Sequence, residues 1–185
     1  MFQTSDFRNG LKILVDNTPY EITYFQHVKP GKGGAFVRTK LRNLFNQSVL
    51  DKTFRAGEKV GKPDITESEM EFLYSDESYH FMNNQSYEQI SIEAKVVGDT
   101  KNYLTENMTV RVVTFNGEVI SIELPASVEL QISVCDPGLK GDTVSGATKP
   151  ATLETGAVIQ VPLFINVEDK VRVDTRSGQY IERVS

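Results

Sequence analysis

The chain has few of the residues that most often carry catalysis or bind metals. Its 185 residues include one cysteine, two histidines and no tryptophan. The single cysteine, Cys135, cannot form an intrachain disulfide, and we expect a reducing, cytoplasmic compartment. His27 and His80 lie far apart in sequence, whereas zinc sites need cysteine and histidine at short spacing, so we expect neither a metal nor a cofactor. No Gly-x-Ser-x-Gly nucleophile motif is present. The sequence therefore predicts that the protein is not an enzyme.

Long apolar stretches are also absent. No run is long enough to span a bilayer, and residues 1–6 lack the basic and apolar regions of a signal peptide. The composition, 39% apolar and 24% charged, is ordinary for a globular protein. We therefore expect no membrane partner.

The net charge of −5 is unevenly distributed along the chain. Residues 1–64 hold 11 Lys/Arg and 6 Asp/Glu, a net charge of +5. Residues 65–126 hold 3 and 11, a net charge of −8, and residues 127–185 hold 6 and 8, a net charge of −2. Such asymmetry indicates that only one part of the chain contacts a polyanion. The first segment would be drawn to phosphate, and the acidic middle segment would be kept away from it.

Short β-prone runs separated by turn residues fill most of the sequence. The clearest hairpin is formed by Thr109–Phe115 and Val119–Leu124 around Asn116-Gly117, a pair typical of type I′ turns. The one helix that the pattern predicts is Asp99–Asn107, and residues 55–64 read as a connection. The pattern predicts an all-β protein built from three small units. We place the three domains at residues 1–64, 65–126 and 127–185.

The segment Lys29-Pro30-Gly31-Lys32-Gly33-Gly34 is the most informative part of the sequence. It lies between two β-prone runs, and its proline and glycines favour a tight, exposed turn. Lys32 is the only long side chain inside the turn, so one ammonium group is presented at the tip.

The returning strand alternates between apolar and basic residues. Val37, Thr39 and Leu41 occupy one set of positions, and Arg38, Lys40 and Arg42 occupy the other. Period-2 spacing puts the three basic side chains on one face of the strand, beside the loop.

Three interpretations of this loop compete. It could be an ordinary surface turn whose lysines aid solubility. A nucleotide-binding P-loop is the second, but it requires Gly-x-x-x-x-Gly-Lys-Ser/Thr followed by a helix, and here a strand pattern follows. The third is a finger that faces RNA. The basic strand favours the third interpretation, because residues 28–42 hold five Lys/Arg and no Asp or Glu.

Taken together, these motifs resemble the translation elongation factor P family, bacterial relatives of the hypusine-bearing initiation factor of eukaryotes and archaea. The resemblance runs from Asp6 to Val184 and rests on motifs in the family's order. These are Val28–Gly33, Lys40–Asn43, Tyr74, His80–Asn83, Asp136–Thr143, Lys149–Thr152 with Val161–Phe164, and Asp174–Gly178.

The resemblance implies a fold and a function. The fold is an N-terminal SH3-like (KOW-type) barrel followed by two OB-type barrels, in an L-shaped arrangement like that of tRNA. Family members bind the 70S ribosome between the peptidyl-tRNA and exit sites, and they relieve stalling at consecutive prolines by promoting peptide-bond formation. The expected partners are rRNA, ribosomal proteins and a peptidyl-site tRNA, initiator or proline tRNA. We expect a monomer.

The same resemblance assigns roles to residues of this chain. Lys32 aligns with the loop tip that reaches the CCA end of peptidyl-tRNA, and in many members an enzyme lengthens this tip covalently. We expect the RNA-facing surface to comprise Lys32 with Lys29, Pro30, Gly31, Gly33, Gly34, Arg38, Lys40 and Arg42. A second loop is placed near the small subunit and the exit-site codon, and its residues are Gly141, Asp142, Thr143, Ser145, Gly146, Lys149 and Pro150.

Two other functions stay open on the sequence alone. One is a general RNA-binding or ribosome-associated module of the same barrels, without a role in peptidyl transfer. The other is an OB-barrel enzyme or a carbohydrate-binding protein.

Overall fold

The computed structural model describes residues 1–137 and 146–185 and divides the chain into two compact units. One unit contains Met1–Glu67 and Val113–Ser121, and the other contains Ser68–Val112 and Ile122–Ser185. Within these residues no helix combines the length and the apolar character needed to cross a bilayer.

The described secondary structure is almost entirely β, so the all-β prediction is confirmed. The helical segments are α1 (Ala94–Val97) and two 3-10 helices, Thr4–Asp6 and Gly98–Tyr103. The strands are β1 (Phe2–Gln3), β2 (Lys12–Val15), β3 (Thr18–Val28), β4 (Phe36–Asn43), β5 (Val49–Arg55), β6 (Lys59–Val60), β7 (Ile65–Ser75), β8 (Ser78–Asn83), β9 (Gln89–Glu93), β10 (Thr109–Phe115), β11 (Glu118–Glu123), β12 (Ser127–Cys135), β13 (Thr148–Leu153), β14 (Val158–Pro162), β15 (Lys170–Asp174) and β16 (Tyr180–Val184). The domain boundaries stay a prediction.

The first unit is built on a four-stranded antiparallel sheet in the order β2-β3-β4-β5, and β1 pairs with β6. Two aromatic rings of its core, Phe7 and Phe54, meet edge to face with their centroids 5.3 Å apart. The core consists of the buried side chains Phe7, Leu11, Ile13, Ile22, Val37, Leu41, Phe54 and Val60.

Two hairpins turn through two-residue loops with left-handed backbone. Asp16 and Asn17 have φ of +49° and +61°, and Asn116 and Gly117 have φ of +50° and +84°. Positive φ at both central residues is the type I′ turn, which matches the right-handed twist of the flanking strands. The prediction for Asn116-Gly117 is therefore confirmed. The tip of that hairpin belongs to the first unit, where Phe115 meets Phe45 edge to face at 5.8 Å.

The middle sheet has the strand order β11-β10-β7-β8-β9. Strands β7, β8 and β9 pair in antiparallel fashion, and Phe72 and Phe81 pack with ring centroids 5.3 Å apart. The C-terminal sheet has the order β14-β13-β12-β15-β16. Its core consists of Val128, Leu130, Ile132, Ala151, Leu153, Ile159, Val161, Ile165, Val171 and Val173.

Residues that precede β10 pack directly on the C-terminal sheet within the second unit. Tyr103 and Met108 lie against its core. Thr155 Oγ1 donates a hydrogen bond to the carbonyl oxygen of Asn102 at 2.5 Å. A Cβ atom at Gly178, whose φ is +72°, would collide with the hydroxyl of Tyr103. Glycine is therefore required at position 178 for two reasons: the backbone is left-handed there, and the Tyr103 hydroxyl lies close to it.

Two predictions of local structure are wrong. The helix predicted at Asp99–Asn107 begins earlier, as α1 at Ala94, and ends as a 3-10 helix at Tyr103. Gly98 interrupts the regular helix because its φ of +53° is left-handed. The connection predicted at residues 55–64 contains β6, whose partner β1 lies at the other end of the domain sequence. Local patterns do not reveal such a distant pairing.

A hydrogen-bonded chain closes the turn between β7 and β8. Asp76 Oδ1 accepts from the backbone N–H of Ser78 at 2.8 Å and lies 2.8 Å from His80 Nε2. Ser91 Oγ lies 3.0 Å from His80 Nδ1, and the ring of Tyr74 stacks on the imidazole at 4.4 Å. The Ser78 N–H, and after it the His80 ring, hold the pKa of Asp76 below its usual value of 3.8.

We expect Asp76→Asn to lower the urea midpoint of unfolding at neutral pH. A depressed pKa means that the ionised carboxylate stabilises the fold above the unfolded pKa of about 3.9, and that this contribution is lost as pH falls through the folded pKa. The deficit should therefore shrink in acid, where the aspartic acid is neutral as well. Urea titrations over a pH series measure this, with Glu77→Gln in the same exposed turn as control. A deficit that persists unchanged in acid would contradict the assignment.

Candidate nucleic-acid interface

The candidate interface is built on the long hairpin of β3 and β4. The two strands pair from Tyr20↔Asn43 to Val28↔Phe36, and the loop of residues 29–35 joins them. A backbone hydrogen bond from Ala56 N–H to Ala35 O, 3.0 Å long, continues the pairing of β4 with β5 up to the loop base. The loop therefore starts where the hydrogen-bonded inner strands of the sheet end.

Residues 29–34 of the loop are all exposed. Among the three loop glycines, only Gly33 has left-handed backbone, with φ of +100°. A Cβ atom built at Gly31 or Gly34 would meet nothing within 4 Å. The left-handed backbone that glycine permits is therefore required at Gly33. At Gly31 and Gly34 glycine leaves the loop without side chains.

The predicted alternation of the returning strand is confirmed. Val37 and Leu41 are fully buried and Thr39 is 3% exposed. Arg38 and Lys40 are exposed, and Arg42 is half-buried on the same face. The strand therefore presents its basic side chains away from the core.

Acidic neighbours pair with two of these three cations. Arg42 forms an ion pair with Glu21, its partner in the register of β3. Lys40 Nζ lies 3.4 Å from Asp51 Oδ1, which is its partner in the register of β5. The sequence pattern of β4 alone did not reveal these pairs, because both carboxylates come from neighbouring strands. They reduce the charge that this end of the face offers to phosphate.

Unpaired cations gather at the loop end of the hairpin. In the part of the chain that the structure describes, Lys29, Lys32 and Arg38 have no acidic partner. Arg38 lies over the ring of Phe36, with its guanidinium carbon 5.4 Å from the ring centroid. Arg55 faces Phe36 in the register of β5 and is also exposed, although the sequence pattern predicts a connection there. The positive charge therefore concentrates around the loop.

The second candidate site is described only in part. Gly141, Asp142, Thr143 and Ser145 lie outside the described residues. Gly146 and Pro150 are exposed, and Pro150 pairs with Gln160 across β13 and β14.

Lys149 and Pro150 lie in β13 rather than in the predicted loop, and Lys149 takes a structural position. It is 7% exposed, and its Nζ donates to the carbonyl oxygen of Asp136. Among the described residues, no cluster of three histidine, cysteine or acidic side chains is arranged to hold a metal ion.

Comparison with known proteins identifies the class of these domains. Residues 3–60 match the elongation factor P KOW-like domain, residues 65–122 match the elongation factor P OB domain, and residues 128–183 match the elongation factor P C-terminal domain. A translation initiation factor eIF-5A family protein from Naegleria fowleri has a similar fold, with a TM-score of 0.51 at 16% identity over 66% of this chain and 96% of its own. The chain is thus a KOW- and OB-domain protein.

Two curated relatives place it more closely. Elongation factor P of Maridesulfovibrio salexigens is 59% identical over 184 residues, which cover 99% of each chain. Elongation factor P of Pelotomaculum thermopropionicum is 53% identical over 185 residues, which cover 100% of each chain. The chain belongs to the elongation factor P family, as its motifs predicted.

We expect Gly33→Ala to strain the loop by about 1–2 kcal/mol, because an L-residue is disfavoured in left-handed backbone. The matched controls are Gly31→Ala and Gly34→Ala, which have open space and no left-handed φ. Amide chemical shifts of residues 29–35 should change widely in the Gly33 variant and only locally in the controls. Equal changes in all three variants would contradict the requirement at Gly33.

Proposed function

We propose that the protein binds the ribosome between the peptidyl-tRNA and exit sites and promotes peptide-bond formation where consecutive prolines cause stalling. Membership of the elongation factor P family supports a role in translation. The observation that carries the finer proposal is Lys32, which lies exposed in the loop that ends the hydrogen-bonded β3–β4 hairpin. Further cations without an acidic partner among the described residues lie at the loop base.

An exposed lysine at a loop tip suits the chemistry of the stalled reaction. Proline is a conformationally restricted nucleophile and a poor donor, so the slow step gains from orientation of the reactants. Holding reacting groups in a near-attack geometry lowers the barrier without a protein group that touches the bond. The Lys32 ammonium, a compact charge on a flexible stem, can bond backbone oxygens at the CCA end of peptidyl-tRNA and steady it. We propose this positioning role for Lys32.

The other charged segments fit the same proposal. Of the other basic side chains in the predicted RNA-facing surface, Lys29 and Arg38 lie closest to Lys32 along the hairpin, whereas Lys40 and Arg42 are partly neutralised by their acidic partners. Covalent lengthening of Lys32 by a separate enzyme would extend its reach. We propose that the segment of residues 141–150 faces the small subunit near the exit-site codon, and that the protein acts as a monomer.

Replacing Lys32 tests the proposal directly. We expect Lys32→Ala to lose relief of stalling in a translation reporter that contains consecutive prolines, while it still co-sediments with ribosomes, because the remaining cations are intact. Lys101→Ala, an exposed lysine of the acidic middle segment, is the matched control and should behave as the unsubstituted protein. Full relief by Lys32→Ala would refute the positioning role. It would favour a general RNA-binding module instead.

The ion pairs predict unequal roles for two arginines of one strand. Each phosphate contact contributes a slope of about −0.7 to −0.9 to the dependence of log affinity on log salt. Arg38→Gln should therefore make the slope for tRNA binding shallower by about one contact, whereas Arg42→Gln should change it less, because Arg42 is paired with Glu21. Filter binding over a salt series measures both slopes. Equal changes would contradict the unequal roles.

A further inference from the structure

An exposed tyrosine lies among the basic side chains of the β3–β4 hairpin. Tyr24 is 46% exposed and lies opposite Lys40 in the register. Directly opposed residues of an antiparallel pair project from the same face, so the ring of Tyr24 lies on the face that carries Arg38 and Lys40. Tyr24 belongs to β3, so the alternation of basic and apolar residues in β4 does not explain why its ring lies on this face.

A β-bulge puts Tyr24 on that face. Ile22 pairs with Leu41 and Tyr24 pairs with Lys40, so Thr23 is the extra residue. Thr23 Oγ1 donates to the carbonyl oxygen of Lys40 at 3.2 Å and holds the bulge in place. If the pairing continued from Ile22 without a bulge, Thr23 would lie opposite Lys40, and Tyr24 would lie opposite buried Thr39 and point into the core. Bulges commonly re-aim a side chain beside a functional site.

Arg38 follows Lys40 on the same face of β4 and has no acidic partner among the described residues. Gln26, two residues beyond Tyr24 on β3, pairs with Arg38. Tyr24 Oη makes a long contact of 3.5 Å with Gln26 Oε1, so the ring leans along the strand towards Arg38. The Arg38 guanidinium lies over the ring of Phe36, and a guanidinium has N–H donors that can bind a phosphate.

We propose that Tyr24 is a stacking site for one unpaired nucleotide of the RNA strand whose end the loop contacts, with Arg38 binding an adjoining phosphate. This inference rests on the proposed function. An aromatic ring beside a free cation is the arrangement by which proteins bind unpaired RNA bases. Tyr24 lies four residues before the end of β3, about 13 Å from the loop base at the rise of a strand. The stacked base is therefore a different nucleotide from the one at the Lys32 tip.

The test uses the full chain and a fluorescein-labelled RNA hairpin that ends in a single-stranded 3′ tail. Tyr24→Ala should weaken binding by about 5- to 150-fold, the range for loss of one stacked base. The salt slope should stay unchanged because no charge is removed. Tyr24→Phe should keep most of the affinity, since the ring remains. Tyr87→Ala, which removes a ring that is 72% exposed in the middle sheet's loop, is the matched control and should have no effect.

Abasic nucleotides make the test independent of protein folding. One abasic position in the tail should weaken binding by the unsubstituted protein as much as Tyr24→Ala does, and with that RNA the Tyr24→Ala substitution should cost nothing more. Equal affinity of Tyr24→Ala and the unsubstituted protein, or a penalty that survives at every abasic position, would overturn the stacking site. If Arg38→Gln still makes the salt slope shallower in that case, the RNA-facing surface stands without it. If the unsubstituted protein did not bind the RNA, both the stacking site and the RNA-facing surface would be overturned.

Discussion

The antiparallel register between β3 and β4 is the constraint on which the candidate interface depends. It buries Val37 and Leu41 and at the same time turns Arg38 outwards. Because side chains alternate with period two, a slip of one residue would exchange the two faces and bury the cations. The apolar core therefore fixes the position of the charges. The hydrogen-bonded strands continue to the base of the loop.

The same pairing distributes charge along the hairpin. At the end far from the loop, Arg42 is paired with Glu21, and in the middle of the strand Lys40 is paired with Asp51. Towards the loop, Arg38 has no acidic partner among the described residues. The Lys40–Asp51 pair is exposed and contributes little to stability, so its main effect is on the electrostatic potential of this face. The positive potential is weakened around Lys40 and Arg42 and retained around the loop tip.

Much of this architecture could be predicted from the sequence, because its signals are local. Alternation identified the buried and exposed faces of β4, and Asn116-Gly117 identified a type I′ turn. The misses are non-local: the carboxylates that pair with Lys40 and Arg42, the exposure of Arg55 beside the loop, and the bulge at Thr23 all require the register between strands. The early start of α1 was missed for another reason. A helix of four residues has no apolar period of its own, and its position is set by packing.

The contact of Tyr103 with Gly178 has a consequence for recombination between relatives. The hydroxyl occupies the space that any side chain at position 178 would need, so the two positions depend on each other although they are distant in the chain. A chimera that takes its C-terminal sheet from a homologue carrying a larger residue there would inherit a collision unless the segment around Tyr103 came from the same parent. The segment around Tyr103 and the C-terminal sheet are thus expected to be inherited together rather than exchanged singly.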